Sequence, residues 1–249
     1  MEKILVIGGG GYVGTELISY LIKKNNYIYC VDKFIYEKNS FIKNSKKVNI
    51  LKYDITHSSF YNNIPADISS VIILAGLVGD PITKKYPKLS HQINFLAIKK
   101  IVNFYKRLKV KLIFVSTCSN YGFLENKIAN EKTSLNPKSL YAKQKVKIEK
   151  YILSLRKKSK FTPTILRFST AFGVSARPRF DLTINEFVLH AVTKKKLQIY
   201  DHETWRPYCH LKDFANVIQK CIEADKKRTN YQIFNVGDYK NNYQKIEIA

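Results

Sequence analysis

The sequence predicts an α/β fold, a parallel sheet with helices on both faces, and three observations carry that prediction. Short apolar runs bounded by turn residues alternate with segments of helical periodicity, the rhythm of repeated strand–helix–strand units. A glycine-rich turn follows the first apolar run directly, as it does where a strand feeds a helix around a phosphate. The chain has 249 residues, 45% of them hydrophobic, enough for one sizeable core and a small second lobe.

The elements run in order along the chain. Lys3 to Ile7 reads as a buried strand and Tyr12 to Lys24 as a helix. Tyr27 to Val31, Val48 to Lys52 and Ser70 to Leu74 read as the next three strands. Pro87 opens a long helix to about Arg107, with Ile93, Leu96, Ala97, Ile101, Phe104 and Leu108 at helical spacing. Lys111 to Ser116 is a fifth strand, Pro137 to Leu155 a helix, and Thr164 to Phe168 a sixth strand. Continuously apolar strands between helices make a doubly wound, Rossmann-type sheet over residues 1–173. After Gly173 the texture changes. A loop with Arg177-Pro178-Arg179, a helix from Leu182 to Val192 and shorter elements suggest a small substrate-binding lobe over residues 174–249. A strand closed by Asn235-Val236-Gly237 is expected to return to the main sheet. Tyr243 to Ala249 reads as a helix stopped partway, so the lobe is expected to be truncated.

Composition excludes several classes. No run approaches the roughly 20 apolar residues of a membrane span. MEKILVIGGG lacks the longer apolar core of a signal peptide. Cys30, Cys118, Cys209 and Cys221 form no C-x-x-C pair, which suits a reducing cytoplasm and argues against a disulfide framework or structural zinc. The five histidines show no ligand spacing. The net charge of +24 raises the question of nucleic acid. The lysines are dispersed, however, at Lys23-Lys24, Lys46-Lys47, Lys84-Lys85, Lys99-Lys100, Lys157-Lys158 and Lys194 to Lys196. A solvated basic surface is therefore preferred, one that would still attract a diphosphate.

Gly8, Gly11 and Gly14 give G-x-x-G-x-x-G between the first strand and first helix, with Tyr12 and Val13 in its last interval. Glycine there permits a tight turn, close approach to a pyrophosphate and close helix–sheet packing. Asp32 ends the second strand, where a carboxylate accepts hydrogen bonds from an adenosine ribose and repels a 2′-phosphate; the cofactor expected is NAD. The alternative for Asp32 is a surface carboxylate at a strand end. Asp54-Ile55 and Ala75-Gly76 fall at the same carboxyl edge of the sheet, as adenine and ribose neighbours.

Tyr141 and Lys145 stand four apart on one helical face. A phenol with a reference pKa of about 10 is no base at neutral pH, and a neighbouring ammonium lowers that value. Tyr141 can then take a proton from a hydroxyl while hydride leaves, and Lys145 can also hydrogen-bond a nicotinamide ribose. Thr117 ends the fifth strand, where it can orient the same substrate oxygen.

With these residues in place the chain resembles the extended short-chain dehydrogenase/reductases of the NAD-dependent epimerase/dehydratase family. The matching segments are GGGGYVG, LKYDI, LAGLVGDP, VSTCSNYG, YAKQK, LRFSTAFG, WRPYCHLKD and FNVG. The resemblance implies Thr117, Tyr141 and Lys145 as a catalytic triad, with Asn94 supporting the lysine through a water relay. It implies Asn185 and Arg206 as nucleotide-sugar contacts, Arg206 on the diphosphate, and a homodimer joined through the helices containing Asn94 and Tyr141.

Three departures from the family pattern matter. Dehydratases carry Asp-Glu after the catalytic Thr, whereas Cys118-Ser119 stand here, which disfavours dehydration. An R-x-x-N pattern is replaced by Thr170 after Arg167-Phe168-Ser169, altering a substrate contact. Family members also run longer. LVGDP, Ser175-Ala176-Arg177 and Arg179-Phe180-Asp181-Leu182 resemble bacterial C4 dehydrogenases or epimerases acting on nucleotide-linked sugars, GDP-heptoses included, for surface polysaccharides. Cys118 reads either as a second acid/base for epimerisation or as a small residue packed beside the nicotinamide. The expected function is C4 oxidation of a nucleotide-diphosphate sugar by bound NAD. The alternatives are a 4-ketoreductase and a non-catalytic NAD- or RNA-binding member of the fold.

Overall fold

The computed structural model describes residues 1–35, 45–65, 67–124, 128–156 and 160–249, so Lys157 and Lys158 lie outside the described residues. Seven parallel strands form the main sheet in the order β3-β2-β1-β4-β5-β6-β9. They are β1 (Lys3–Ile7), β2 (Tyr27–Asp32), β3 (Val48–Lys52), β4 (Ser70–Ile73), β5 (Lys111–Thr117), β6 (Thr162–Phe168) and β9 (Gln232–Val236). The order reverses between β1 and β4, which opens a crevice at the carboxyl ends of those strands.

Side-chain alternation along the strands divides the core into two layers. Ile4 and Val6 of β1 join Cys30, Ile72 and Ile113 beneath α1 (Tyr12–Lys23) and α8 (Leu211–Glu223). Leu5 and Ile7 join Val31, Ile73, Leu112 and Phe114 on the opposite face, beneath α5 (Ile98–Tyr105) and α6 (Leu140–Ser154). Both faces of the central strands β1, β4, β5 and β6 are thus buried, the condition that parallel strands require.

The predicted strands stand within two residues of their expected bounds. The helix expected from Pro137 begins instead at Leu140, because the Ser139 hydroxyl accepts from Ala142 N at 3.2 Å and caps its first turn.

The long helix departs more. It comprises α4 (Pro87–His91), a π-helical turn over Gln92–Ala97, and α5. A π turn inserts an extra residue and rotates the helix beyond it. The buried stripe is therefore Asn94, Ala97, Ile98, Ile101, Val102 and Tyr105, while Leu96, Phe104 and Leu108 are exposed at 42%, 39% and 38%.

Between these lie α2 (Ser59–Asn62) and α3 (Asp80–Lys85). A second, three-stranded sheet runs in the order β10-β8-β7, with α7 (Thr183–Lys194) between its first two strands in sequence, β7 and β8. Its strands are β7 (Thr170–Phe172), β8 (Trp205–His210) and β10 (Asn242–Gln244). The terminal helix expected from Tyr243 is corrected here: Tyr243 lies opposite Arg206 in the antiparallel β10–β8 pair. Only α10 (Lys245–Ile248) is helical there, started by a reciprocal cap between Gln244 and Glu247. A short helix α9 (Lys226–Thr229) leads into β9. Among the described residues no helix is long and apolar enough to cross a membrane, and no group of His, Cys, Asp and Glu could hold a metal ion.

Candidate active site

The glycine turn takes its shape from contacts that exclude side chains. Gly8 has φ +91°, and a Cβ there would lie 2.5 Å from Ala75 N. A Cβ on Gly14 would lie 2.4 Å from Gly8 O and 2.7 Å from Gly9 Cα, so α1 approaches the turn through bare backbone. Gly11 is the N-cap of α1 and offers no side chain to the first-turn N–H groups. The amides of Tyr12 and Val13 are left to meet an anion.

Asp32 grips the same turn. Its two oxygens accept from Gly10 N at 3.0 Å and Phe34 N at 2.9 Å, which holds the carboxylate at the strand end with acceptor capacity to spare. Asp54 is more committed, accepting from Thr56 N and Oγ1 at 2.9 and 2.7 Å and pairing with Lys33 at 2.8 Å. Burial alone would raise its pKa, but these partners hold it down at about 2. Ile55 packs its side chain into the second core layer, so only its backbone faces the edge of the sheet. A turn of bare glycine backbone, free helix amides and a carboxylate at the end of the second strand together fit the diphosphate and adenosine of NAD.

Ala75 and Gly76 follow β4 across the crevice. A Cβ on Gly76 would lie 2.9 Å from Asn94 Oδ1. Asn94 is 2% exposed, and its amide holds this loop. Oδ1 accepts from Leu77 N at 2.8 Å, while Nδ2 donates to Leu77 O at 2.9 Å and Gln144 Oε1 at 3.0 Å. The side chain is thus occupied by the loop and does not touch Lys145.

Tyr141 and Lys145 lie on the first turns of α6, over the end of β5. Lys145 Nζ donates to Val115 O at 2.7 Å and sits 5.8 Å from the Tyr141 ring centroid and 4.7 Å from that of Phe114. Burial lowers its pKa to about 8, with Glu149 opposing. Burial pushes the Tyr141 phenol above its ordinary value, against the nearby guanidinium of Arg179. No protein group among those described hydrogen-bonds the Tyr141 hydroxyl. Thr117 ends β5, its hydroxyl accepting from Ser119 N at 3.2 Å. Cys118 lies close enough for its charge to act on Tyr141, but burial raises the thiol to about 11 with Arg206 opposing, so it is protonated at neutral pH. A protonated thiol can donate a proton or simply pack beside the nicotinamide, so both readings of Cys118 stand.

The remaining substrate residues divide. Arg206 is exposed on β8, and its guanidinium has neither ion pair nor hydrogen bond among the described residues. Thr170 is half-buried on β7. Asn185 is engaged: Oδ1 accepts from Gly173 N at 3.2 Å, and Nδ2 donates to the Tyr12 hydroxyl at 2.8 Å and Arg179 O at 2.9 Å. It knits the cofactor turn to the loop after Gly173, where the Thr15 and Ser175 hydroxyls also meet at 2.7 Å.

Two ion pairs went unread in the sequence, although Arg179, Asp181 and Arg167 stand in segments singled out there. One joins Arg179 to Asp181 at 2.5 Å. The other is the buried pair of Glu149 and Arg167 behind Lys145. The Y-x-x-x-K spacing continued four residues further would have reached Glu149 on the same helical face.

A doubly wound sheet, a glycine turn suited to a dinucleotide and a buried Tyr–Lys pair define a nicotinamide-dependent dehydrogenase-type protein. The chain belongs to the NAD dependent epimerase/dehydratase family, whose sequence pattern matches residues 4–237. It is 28% identical over 260 residues to a dTDP-D-glucose 4,6-dehydratase of Dictyostelium discoideum, covering 95% of this chain and 58% of that protein. It is 26% identical over 230 residues to a UDP-glucose 4-epimerase of Lactobacillus helveticus, covering 91% and 62%. It spans only 40% of a bifunctional polymyxin resistance protein ArnA of Wigglesworthia glossinidia brevipalpis, at 23% identity. Among solved structures, the fold matches a UDP-N-acetylglucosamine 4-epimerase from Methanobrevibacter ruminantium in complex with UDP-N-acetylmuramic acid. The TM-score is 0.89 and the identity 24%, over 99% of this chain and 79% of that one. A UDP-glucuronic acid 4-epimerase from Bacillus cereus, in complex with UDP-glucuronic acid and NAD, matches at TM-score 0.85 and 22% identity, over 97% and 79%.

Proposed function

We propose that this chain oxidises a nucleotide-diphosphate sugar at C4, the keto sugar being either released or reduced again to the epimer. The observation that carries this is the Tyr141–Lys145 pair: a phenol without a hydrogen-bond partner among the described residues, backed by a lysine whose ammonium is pinned to Val115 O. Thr117 orients the sugar hydroxyl from the neighbouring strand end, and Tyr141 takes its proton. Lys145, with a pKa of about 8, is largely charged at neutral pH and favours the phenolate. NAD, when bound, supplies the hydride acceptor and a positive ring that lowers the phenol further. Gly8, Gly11, Tyr12, Val13, Gly14 and Asp32 would hold its diphosphate and adenosine ribose; Asp54, Ile55, Ala75 and Gly76 would line the rest.

The unpaired guanidinium of Arg206 suits the substrate's diphosphate. Thr170 and Cys118 shape the sugar pocket, and Asn185 contributes by holding the loop that carries Arg179. Cys118-Ser119 provide no acid/base pair for dehydration, which favours oxidation or epimerisation over the activity named for the Dictyostelium relative. Work on polysaccharide precursors in the cytoplasm belongs to the same reading. A homodimer is supported by Leu89, Leu96 and Phe104, exposed on the outer face of α4, the π turn and α5, where a second copy would cover them.

The test is Tyr141→Phe with NAD and UDP-, GDP- and dTDP-sugars, followed at 340 nm. Hydride transfer is expected to fall at least about 10³-fold with NAD affinity retained. Turnover within tenfold of the unmodified protein would refute the assignment.

A further inference from the structure

Behind Tyr141 and Lys145 lies a buried ionic cluster that the proposed reaction does not use. Glu149 follows Lys145 by one turn of α6 and is 1% exposed. Its Oε2 accepts from Arg167 Nη2 at 2.7 Å, and its Oε1 accepts from Ser116 Oγ at 2.5 Å and Asn120 Nδ2 at 2.7 Å. Arg167, 3% exposed, also donates to the Tyr121 hydroxyl at 2.8 Å, which donates to Asn235 Oδ1 at 2.6 Å. One carboxylate therefore joins α6 to the end of β5, the 3₁₀ turn over Cys118–Tyr121, β6 and, through Tyr121, β9.

Stability alone is a poor reason for such a cluster. Burying two charges costs desolvation that even full pairing barely offsets, and apolar residues of equal volume do as well or better. Its position supplies a better reason. Ser116 directly precedes Thr117, Val115 carries the carbonyl that pins Lys145, and Glu149 shares a helical face with Tyr141 and Lys145.

We propose that Glu149 is a positioning residue: held by Arg167, Ser116 and Asn120, it is the fixed buried counter-charge behind Lys145 and ties the strand end bearing Thr117 to the helix bearing Tyr141. This rests on the dehydrogenase reading of that pair. Among the described residues, Glu149 is the one anionic group that acts on Lys145. Tyr141 shares its helix, with Asp80 of α3 acting on that phenol. β5 presents the Val115 carbonyl and the Phe114 ring, while the neutral Ser90 and Asn94 of α4 and the π turn bond to Gln144, the residue before Lys145. The 3₁₀ turn presents Asn120 and Tyr121, and β6 presents Arg167 toward Glu149. Glu149 raises the Lys145 pKa against the larger effect of burial. Without it, Lys145 and Arg167 become two buried cations with no counter-charge.

The test reads Lys145 directly. Protein carrying ¹³C at lysine Cε is titrated by NMR, the Lys145 signal being identified by its loss in Lys145→Met. Glu149→Gln is expected to lower the titration midpoint by about one pH unit, and to move the alkaline limb of the pH–rate profile equally. Should that variant not fold, Glu149→Gln/Arg167→Gln removes both charges at once, and its midpoint is also expected to fall. A midpoint unmoved in the folded variant overturns the proposal, whatever the substrate proves to be. If it is unmoved while the unmodified protein oxidises a nucleotide-sugar, the proposed function stands and only the role of Glu149 is lost. A shifted midpoint in a protein that oxidises no nucleotide-sugar supports the counter-charge and removes the proposed function instead.

Discussion

Gly14→Ala isolates the closeness of backbone packing at the cofactor turn. The added Cβ would stand 2.4 Å from Gly8 O and 2.7 Å from both Gly9 Cα and Gly9 O. All three are backbone atoms, so no rotamer change relieves the overlap, and the turn or α1 must move by roughly 0.7–1 Å to reach ordinary contact. Overpacking of this kind costs about 1–3 kcal/mol, and alanine returns about 1 kcal/mol through its better helix propensity. The net loss is about 0–2 kcal/mol, which lowers Tm by up to about 8 °C for a chain of this size. The displaced amides at the start of α1 would no longer converge on a pyrophosphate. NAD at 100 times its Kd should stabilise the unmodified protein by about 2.7 kcal/mol, and that gain should vanish in the variant. Gly11→Ala is the control, since its Cβ meets only Gly8 O at 3.3 Å; it should melt within about 2 °C of the parent. Differential scanning fluorimetry with and without NAD reads both variants. A Gly14→Ala protein that keeps its Tm and its NAD-dependent rise would refute the packing argument.

Three further outcomes are expected. Cys118→Ala should keep hydride transfer within about threefold, with no limb lost from the pH–rate profile, because burial holds the thiol at about 11; a loss above tenfold would establish its acid/base role. Lys145 titrates near 8 in the folded chain against 10.5 ordinarily, so the unfolded chain holds that proton more tightly, and stability should rise between about pH 8 and 10.5. Lys145→Met should abolish that rise and add on the order of 1 kcal/mol at pH 7 while eliminating hydride transfer; urea unfolding at pH 7 and pH 10 checks it, and a variant less stable at pH 7 would contradict it. Arg206→Ala should raise the KM for a nucleotide-sugar at least about tenfold with little change in NAD affinity; an unchanged KM, measured by initial rates, would remove Arg206 from the diphosphate site.

Local pattern determined much of this protein. Apolar runs such as Ile4 to Ile7 can only be strands buried on both faces, and Gly8, Gly11 and Gly14 at a strand–helix junction specify a dinucleotide turn because only glycine tolerates such backbone approach. Tyr141 and Lys145 were legible for the same reason: four residues on a helix is a fixed distance. What sequence could not decide were contacts between segments distant along the chain. The π turn at Gln92–Ala97 has no local signature, and it alone turned Leu96 and Phe104 outward and Asn94 inward onto Leu77. Tyr243 looked helical until Arg206, far upstream, offered a strand edge. Glu149 drew no notice in sequence and Arg167 only as the start of a motif, and the two became one buried pair only because α6 lies across the ends of β5 and β6. Periodicity and glycine are local and survive in one dimension, whereas partnership between side chains depends on which elements the tertiary fold makes neighbours.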